Sequence, residues 1–213
     1  MSSSVDLLLV MVLLLNFFML GTSRVHGVIQ CAAAQGVLLG VLLVVVHGDV
    51  GVRTVALAAV AIGLKAVLIP GMLRRAMRQG AIRREVEPLV SLVSSLVLAA
   101  AGTGLAILLA DRLPLAPEHA DSLVVPASLA TVLTGFLVLT TRRKAITQVV
   151  GYLTLENGVF IFGLTLVEAM PFLVEVGVLL DLLVAIFVMG IVIDHIHREF
   201  SSMDTEKLST LHD

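Results

Sequence analysis

Three ionisable residues lie inside stretches of this sequence that are otherwise apolar. Glu156 and Asp181 each stand near the middle of one such stretch, and Lys65 stands within another. A charge at the centre of a bilayer costs about 2.5–3.5 kcal/mol even on the most lenient scale, so such residues usually mark proton or ion pathways or pair with an opposite charge. We interpret both acids as proton-relay residues; the alternative is a neutral acid that is hydrogen-bonded for packing.

Glu156 completes a polar stripe along its predicted helix. Gln148, Tyr152 and Glu156 are spaced four residues apart and therefore share one helix face. Glu156 follows Lys144 by 12 residues, or about 18 Å at 1.5 Å per residue. That distance reaches near the middle of a hydrocarbon core about 30 Å thick. The stripe predicts a path for protons, beside a file of water, from the surface to the midplane.

Asp181 lies at a similar depth on the following predicted helix. A short break makes the two helices antiparallel neighbours, so Asp181 and Glu156 could exchange a proton. Glu175 lies nearer the outer surface, where solvation at the interface is the alternative to a relay role. For Lys65 three roles stay open, namely a relay group, a structural ion-pair partner, or a side chain whose flexible stem reaches the interface.

Composition places the chain in a membrane. The chain has 213 residues, of which 58% are hydrophobic and 14% are charged, whereas soluble domains average about 25% charged residues. Cys31 is the one cysteine, so the chain has neither an intramolecular disulfide nor a cysteine cluster for a metal or iron–sulfur centre. No nucleophile–base set or phosphate-binding loop is visible, which argues against an enzyme acting alone.

The fold class predicted is all-α, a polytopic membrane protein with about seven transmembrane helices. Each helix needs roughly 20 apolar residues. The predicted spans are residues 5–23, 27–46, 52–73, 89–110, 122–141, 145–167 and 171–194. The polar residues 198–213 are expected to form a cytoplasmic tail. With no basic residue among its first four, the chain is expected to keep its first span rather than lose it as a signal peptide.

Basic residues predict the orientation of these spans. They concentrate in the first, third and fifth breaks and in the tail, namely Arg24, Arg74, Arg75, Arg78, Arg83, Arg84, Arg142, Arg143, Lys144, Arg198 and Lys207. The opposite breaks carry only Arg53 and Arg112. The excess of basic residues on cytoplasmic loops predicts an outside N-terminus and a cytoplasmic C-terminus.

Small and amide residues predict how the helices pack. Gly36 and Gly40 form a small-residue pair that lets two backbones approach closely, and Ser91, Ser95 and Gly102 are expected to act similarly. The amides Asn16, Gln30 and Gln35 lie within the first two spans. We expect them to form hydrogen bonds across helices; the alternative is that they line a wet cavity.

The C-terminal part resembles the K subunit of respiratory complex I and the C subunit of multisubunit cation/proton antiporters. The resemblance is carried by Arg142-Arg143-Lys144, Gly151, the run Thr154-Leu155-Glu156-Asn157-Gly158, and Asp181. The chain departs from the family where Leu153 stands at the first Glu position, and Asp181 stands about one turn from the second acid. The resemblance implies three regions, namely a four-helix membrane region over 1–121, a subunit-K-like region over 122–197 and the tail over 198–213.

Over its full length the chain is similar to the component E family of hydrogenase-4. The similarity is carried by residues 153–158, by Met170-Pro171-Phe172 and by Asp204-Thr205-Glu206-Lys207-Leu208. It implies a non-catalytic subunit of a proton-translocating complex in the bacterial inner membrane. The implied partners are antiporter-like subunits, a subunit like the H subunit of complex I, and a peripheral hydrogenase module that holds the nickel–iron and iron–sulfur centres.

Two other functions stay open at this point. One is a subunit of a multisubunit sodium/proton antiporter, and the other is a scaffold that only seals the membrane arm. We expect no cofactor, metal site or nucleic-acid partner for this chain. His195 and His197 are two residues apart and do not share a helix face, so they are not expected to hold a metal.

Overall fold

The computed structural model describes residues 3–47, 51–79, 86, 88–113, 122–164 and 190. Most of these residues are helical, and an isolated bridge joins Pro88 to Arg142. The helices are α1 (Ser3–Gly21), α2 (Val25–His47), α3 (Val52–Ile62), α4 (Ile69–Gln79), α5 (Leu92–Ala110), α6 (Val124–Thr141) and α7 (Ala145–Gly163). A π-helical segment, Gly63–Leu68, joins α3 to α4.

Six helical stretches in the described part of the chain are long and apolar enough to cross a membrane. Five of them are α1, α2, α5, α6 and α7, and the sixth combines α3, the π segment and α4 over Val55–Arg78. The all-α class is confirmed, and the first six predicted spans coincide with these helices. The predicted seventh span, at 171–194, and the tail lie outside the described residues, except for Gly190. The domain division at 121/122 stays a prediction.

The first, third and fifth breaks between helices meet at one end of the bundle. At this end the Val86 amide donates to the Ser23 carbonyl at 2.7 Å, and the Leu89 amide donates to the Thr141 carbonyl at 2.8 Å. At the other end the Leu123 amide donates to the Asp6 carboxylate at 3.4 Å. The first, third and fifth breaks therefore lie together, as helices that cross the bundle in alternating directions require.

α6 and α7 approach each other closely because glycine leaves room for the opposing backbone. A Cβ added at Gly151 would lie 2.6 Å from the Leu139 nitrogen, and one added at Gly158 would lie 2.6 Å from the Val132 nitrogen. No side chain fits at such distances, so small residues are required at this contact. The close packing fixes the position of α7, which carries Glu156.

The third span approaches α2 in the same way at its π segment. A Cβ on Gly36 would lie 2.7 Å from the Lys65 Cβ, and one on Gly40 would collide with the Ile62 side chain. The predicted close approach of backbones is confirmed at Gly36, where the Lys65 carbonyl carbon would lie 2.9 Å from the added Cβ, whereas Gly40 leaves room for a side chain. Lys65 lies inside the π segment, and interruptions of this kind are frequent at functional sites.

The expectation for the small residues of α5 was wrong in part. Ser91 caps α5, its hydroxyl oxygen accepting a hydrogen bond from the Ser94 amide at 3.1 Å. Among the described residues, a Cβ at Gly102 would meet only the Leu133 side chain, at 3.6 Å, which is an ordinary contact distance. Only Ser95 is buried. At Ser91 and Gly102, therefore, α5 is not held by a close backbone approach.

Candidate functional site

Lys65 and Glu156 form an ion pair inside the helix bundle. The Lys65 Nζ lies 3.3 Å from Glu156 Oε1, and the two side chains are 6% and 9% exposed. Of the roles left open for Lys65, this geometry shows pairing with a buried acid rather than a stem that reaches the interface. The pair joins the third span to α7.

Three residues of α7 contact the Lys65 ammonium. Asn157 follows Glu156 directly, and its Oδ1 accepts a hydrogen bond from Lys65 Nζ at 3.1 Å. Phe160 lies one turn beyond Glu156, and its ring centroid is 5.2 Å from the same nitrogen. A cation at this distance from an aromatic ring is attracted to the ring face. Oxygen atoms and a π face thus replace part of the hydration that burial removes from the ammonium.

A chain of hydrogen bonds continues from Asn157 across three further helices. Asn157 Nδ2 donates to Gln35 Oε1 of α2 at 3.2 Å, and Gln35 Nε2 donates to Asn16 Oδ1 of α1 at 2.7 Å. Asn16 Nδ2 then donates to the Thr131 hydroxyl of α6 at 2.9 Å. All four side chains are at most 3% exposed. We call Asn157, Gln35, Asn16 and Thr131 the amide chain.

The sequence-based expectation for the amides is confirmed at two positions and wrong at the third. Asn16 and Gln35 form hydrogen bonds across helices, as expected. Gln30 is instead exposed on the surface of α2. The three differ because Asn16 and Gln35 face neighbouring helices, whereas Gln30 lies on the outward face of α2.

The polar stripe on α7 is not continuous in the structure. Gln148 donates from Nε2 to the Arg142 carbonyl at 2.9 Å, near the start of the helix. Tyr152 is 42% exposed. Within the described residues, neither side chain joins the hydrogen bonds around Lys65. Asp181 and Glu175, the remaining predicted relay residues, lie outside the described residues.

Three residues of the site were missed by reasoning from the sequence. Asn157 served there only to align a motif, and Phe160 and Thr131 were not considered. The available signal for Asn157 was an amide directly beside a buried acid in an apolar helix. Thr131 gave no signal, because a threonine in a membrane helix commonly bonds the carbonyl of its own preceding turn, as Thr131 also does here with Ala127 at 2.7 Å.

Arg142 is buried at the end of α6 instead of lying at the surface among the other basic residues. It is 2% exposed, and its Nη2 donates to the Leu20 carbonyl at 3.0 Å. Burial lowers the pKa of Arg142 below its ordinary value, because a low-dielectric environment disfavours the charged form. Arg142 thus joins the end of α1 to the break between α6 and α7.

Comparison with known proteins places the chain in a family. It is 34% identical over 169 residues to the uncharacterized protein Rv0085 of Mycobacterium tuberculosis, covering 76% of this chain and 77% of that protein. The chain therefore belongs to the same family of proteins as Rv0085. No family model matches the chain, and no solved structure matches it.

The chain is also similar to hydrogenase-4 component E of Escherichia coli strain K12 and of Shigella flexneri. Each match is 31% identical over 100 residues, which is 47% of this chain and 45% of the relative. The chain thus aligns with less than half the length of component E. The resemblance expected from the sequence is supported over that part and is not shown over the full length.

Proposed function

We propose that this protein is a membrane subunit of a hydrogenase-like complex and relays protons through Lys65 and Glu156. The similarity to hydrogenase-4 component E supports membership of such a complex. The buried ion pair is the observation that carries the relay. The subunit itself is proposed to be non-catalytic, with the nickel–iron and iron–sulfur centres in its partners.

The energetics of the ion pair favour a functional role over a purely structural one. Removing two charges from water costs several kcal/mol per ion, and well-packed apolar residues of similar volume often stabilise a fold as well or better. A bundle that needed only packing between the third span and α7 could use apolar side chains there. Two ionisable groups in contact add the capacity to exchange a proton, which apolar residues lack.

The exchange itself is simple. A proton passes from the Lys65 ammonium to the Glu156 carboxylate across 3.3 Å, which leaves a neutral amine and a neutral carboxylic acid. Glu156 then passes the proton on, and Lys65 takes up another. We propose Asp181 as the next acceptor, with Glu175 beyond it. We propose that Gln148 and Tyr152 order water between the Arg142 end of α7 and Glu156, with a partner subunit covering the outward face of Tyr152 in the complex.

The membrane arrangement completes the proposal. The end of the bundle where Ser23, Val86 and Thr141 meet would face the cytoplasm of a bacterial cell, because the basic residues of the chain concentrate there. The proposed neighbours are antiporter-like subunits and a subunit like the H subunit of complex I. The peripheral hydrogenase module would lie on the cytoplasmic side.

Copurification followed by a single substitution tests both parts of this proposal. A tagged full-length chain is purified from its own host, and its partners are identified by mass spectrometry; hydrogenase subunits are expected. Proton translocation coupled to hydrogen turnover is then measured in membrane vesicles. Glu156→Gln keeps the shape of the side chain but cannot accept the proton, so we expect translocation to fall at least tenfold.

The matched control is Asp111→Asn, which changes an exposed acid at the end of α5 and should leave translocation unchanged. A complex that assembles with Glu156→Gln and pumps normally would contradict the relay and favour a scaffold. Copurification without any hydrogenase subunit would contradict membership of the complex.

A further inference from the structure

The three side-chain amides of the amide chain have the same orientation relative to Lys65. Each of Asn157, Gln35 and Asn16 turns its oxygen toward Lys65 and its NH₂ group away from Lys65. The last NH₂ group donates to the Thr131 hydroxyl, which in turn donates to the Ala127 carbonyl. The chain therefore runs from an ammonium to a backbone carbonyl with every donor directed away from the charge.

This orientation is determined at both ends. Lys65 as an ammonium has three donors and no acceptor, so only the oxygen of Asn157 can face it. At the other end the Thr131 hydroxyl donates its proton to Ala127, which leaves its lone pairs for Asn16. Reversing the three amides would direct an NH₂ group at the ammonium and would also require Thr131 to leave Ala127.

An oriented chain of this kind stabilises the charge at its head. Hydrogen bonds to charged groups are roughly twice as strong as neutral ones, and successive hydrogen bonds polarise one another in a low-dielectric interior. Passage of a proton along the chain would require each amide to take an imidic acid form. The chain is therefore suited to hold Lys65 in place and unsuited to conduct its proton.

We infer that Asn157, Gln35 and Asn16 are positioning residues that hold the Lys65 ammonium against Glu156, with Thr131 fixing their direction. This inference rests on the proposed relay, because it assigns the amides to support of the Lys65–Glu156 pair. It predicts that a substitution of Gln35 changes the protonation of Glu156 by displacing Lys65, although Gln35 contacts neither ionised group in the described structure.

The test measures protonation of Glu156 by its reaction with dicyclohexylcarbodiimide, which enters membranes and adds to a carboxyl only when that carboxyl carries a proton. The full-length protein in membranes is labelled, and the peptide that contains Glu156 is quantified by mass spectrometry. Gln35→Leu breaks the chain, lets Lys65 shift from Glu156, and should raise the labelling rate at least threefold. Gln30→Leu, an exposed amide on the same helix, should leave the rate unchanged.

A double substitution separates positioning from a general loosening of the bundle. Lys65→Met should itself raise labelling, and adding Gln35→Leu to Lys65→Met should raise it no further. An unchanged rate in folded Gln35→Leu, or an equal increase with and without Lys65, overturns the inference. If Gln35→Leu does not fold, Thr131→Val replaces it; it removes only the terminal hydroxyl and should raise the rate about twofold, and an unchanged rate overturns the inference.

The labelling test does not depend on turnover by a complex. Normal pumping by Glu156→Gln would contradict the relay hypothesis, whatever the labelling shows. An unchanged labelling rate in folded Gln35→Leu would contradict the positioning inference, whatever the pumping shows. The two failures are therefore distinguishable.

Discussion

α5 and α7 have the same length, but α5 lies largely exposed at the surface of the bundle whereas α7 is largely buried in it. Each contains 19 residues. α5 is the more apolar helix, yet only four of its residues are buried, against eleven of the residues of α7. In water the more apolar helix would be the buried one. In a bilayer the outward face meets hydrocarbon, so apolar side chains need no partner there, and the small and polar residues mark the buried face.

The contacts of the two helices follow from this difference. α7 buries Glu156, Asn157 and Gly158 side by side. α5 exposes a series of large apolar side chains, namely Val93, Val97, Leu98, Leu105, Ile107, Leu108 and Leu109. Substitutions of the same type should therefore have large effects in α7 and small effects in α5.

The largest expected effect is the loss of packing when leucine replaces a glycine of α7. In Gly158→Leu even the Cβ would lie 2.6 Å from the Val132 nitrogen and 2.8 Å from the Ser128 carbonyl oxygen. Ordinary overpacking costs about 1–3 kcal/mol, and a collision with backbone leaves less room to relax. We expect no correctly folded protein, measured as monodisperse yield after extraction from membranes.

The matched control for that substitution is Gly104→Leu in α5, where a Cβ would meet no atom of the described residues within 4 Å. Its yield and thermal stability should equal those of the unsubstituted chain. Equal yields for the two variants would mean that α6 and α7 do not approach each other as closely as described.

The second effect is the destabilisation caused by removing one member of the ion pair. Lys65→Met leaves Glu156 buried without this partner, and breaking a buried pair typically costs about 3–5 kcal/mol. The double variant Lys65→Met with Glu156→Gln should recover part of this loss, because the uncompensated carboxylate is gone. Thermal unfolding of the purified full-length chain measures both.

Arg112→Met serves as the comparison at the exposed end of α5, where a solvated charge contributes little to stability. A double variant less stable than Lys65→Met alone would argue that the two side chains are not paired.

The smallest effect concerns a hydrogen-bonded amide. Asn157→Leu removes an acceptor for Lys65 and a donor for Gln35. Each buried polar group left unsatisfied costs about 1–3 kcal/mol. Thr103→Val is the control in α5, because within the described structure the Thr103 hydroxyl donates only to the Ala99 carbonyl of its own helix. Its loss should cost less than about 0.5 kcal/mol.

Comparing the unfolding temperatures of these two variants checks the prediction. A loss of stability from Thr103→Val as large as that from Asn157→Leu would show that burial within the bundle does not explain the difference between the helices.

The sequence by itself determined the helices and the ionisable residues of the site. Runs of about 20 apolar residues have few alternatives to a helix in a bilayer, where every backbone group must be satisfied internally. The six described spans therefore lie where hydropathy placed them, and Glu156 and Lys65 were identified because charge inside such runs is costly. Gly36 and Gly40 were identified because small residues at helical spacing permit close packing.

Only the tertiary structure decided which residues meet. Spacing along one helix placed Tyr152 beside Glu156 on the same stripe, yet Tyr152 faces outward and Asn157 faces the lysine. Lys65 and Asn157 are separated by 92 residues, and Asn16 and Thr131 by 115. No local pattern encodes such contacts, because they depend on the rotation of each helix about its axis, which the glycine contacts between neighbouring helices set.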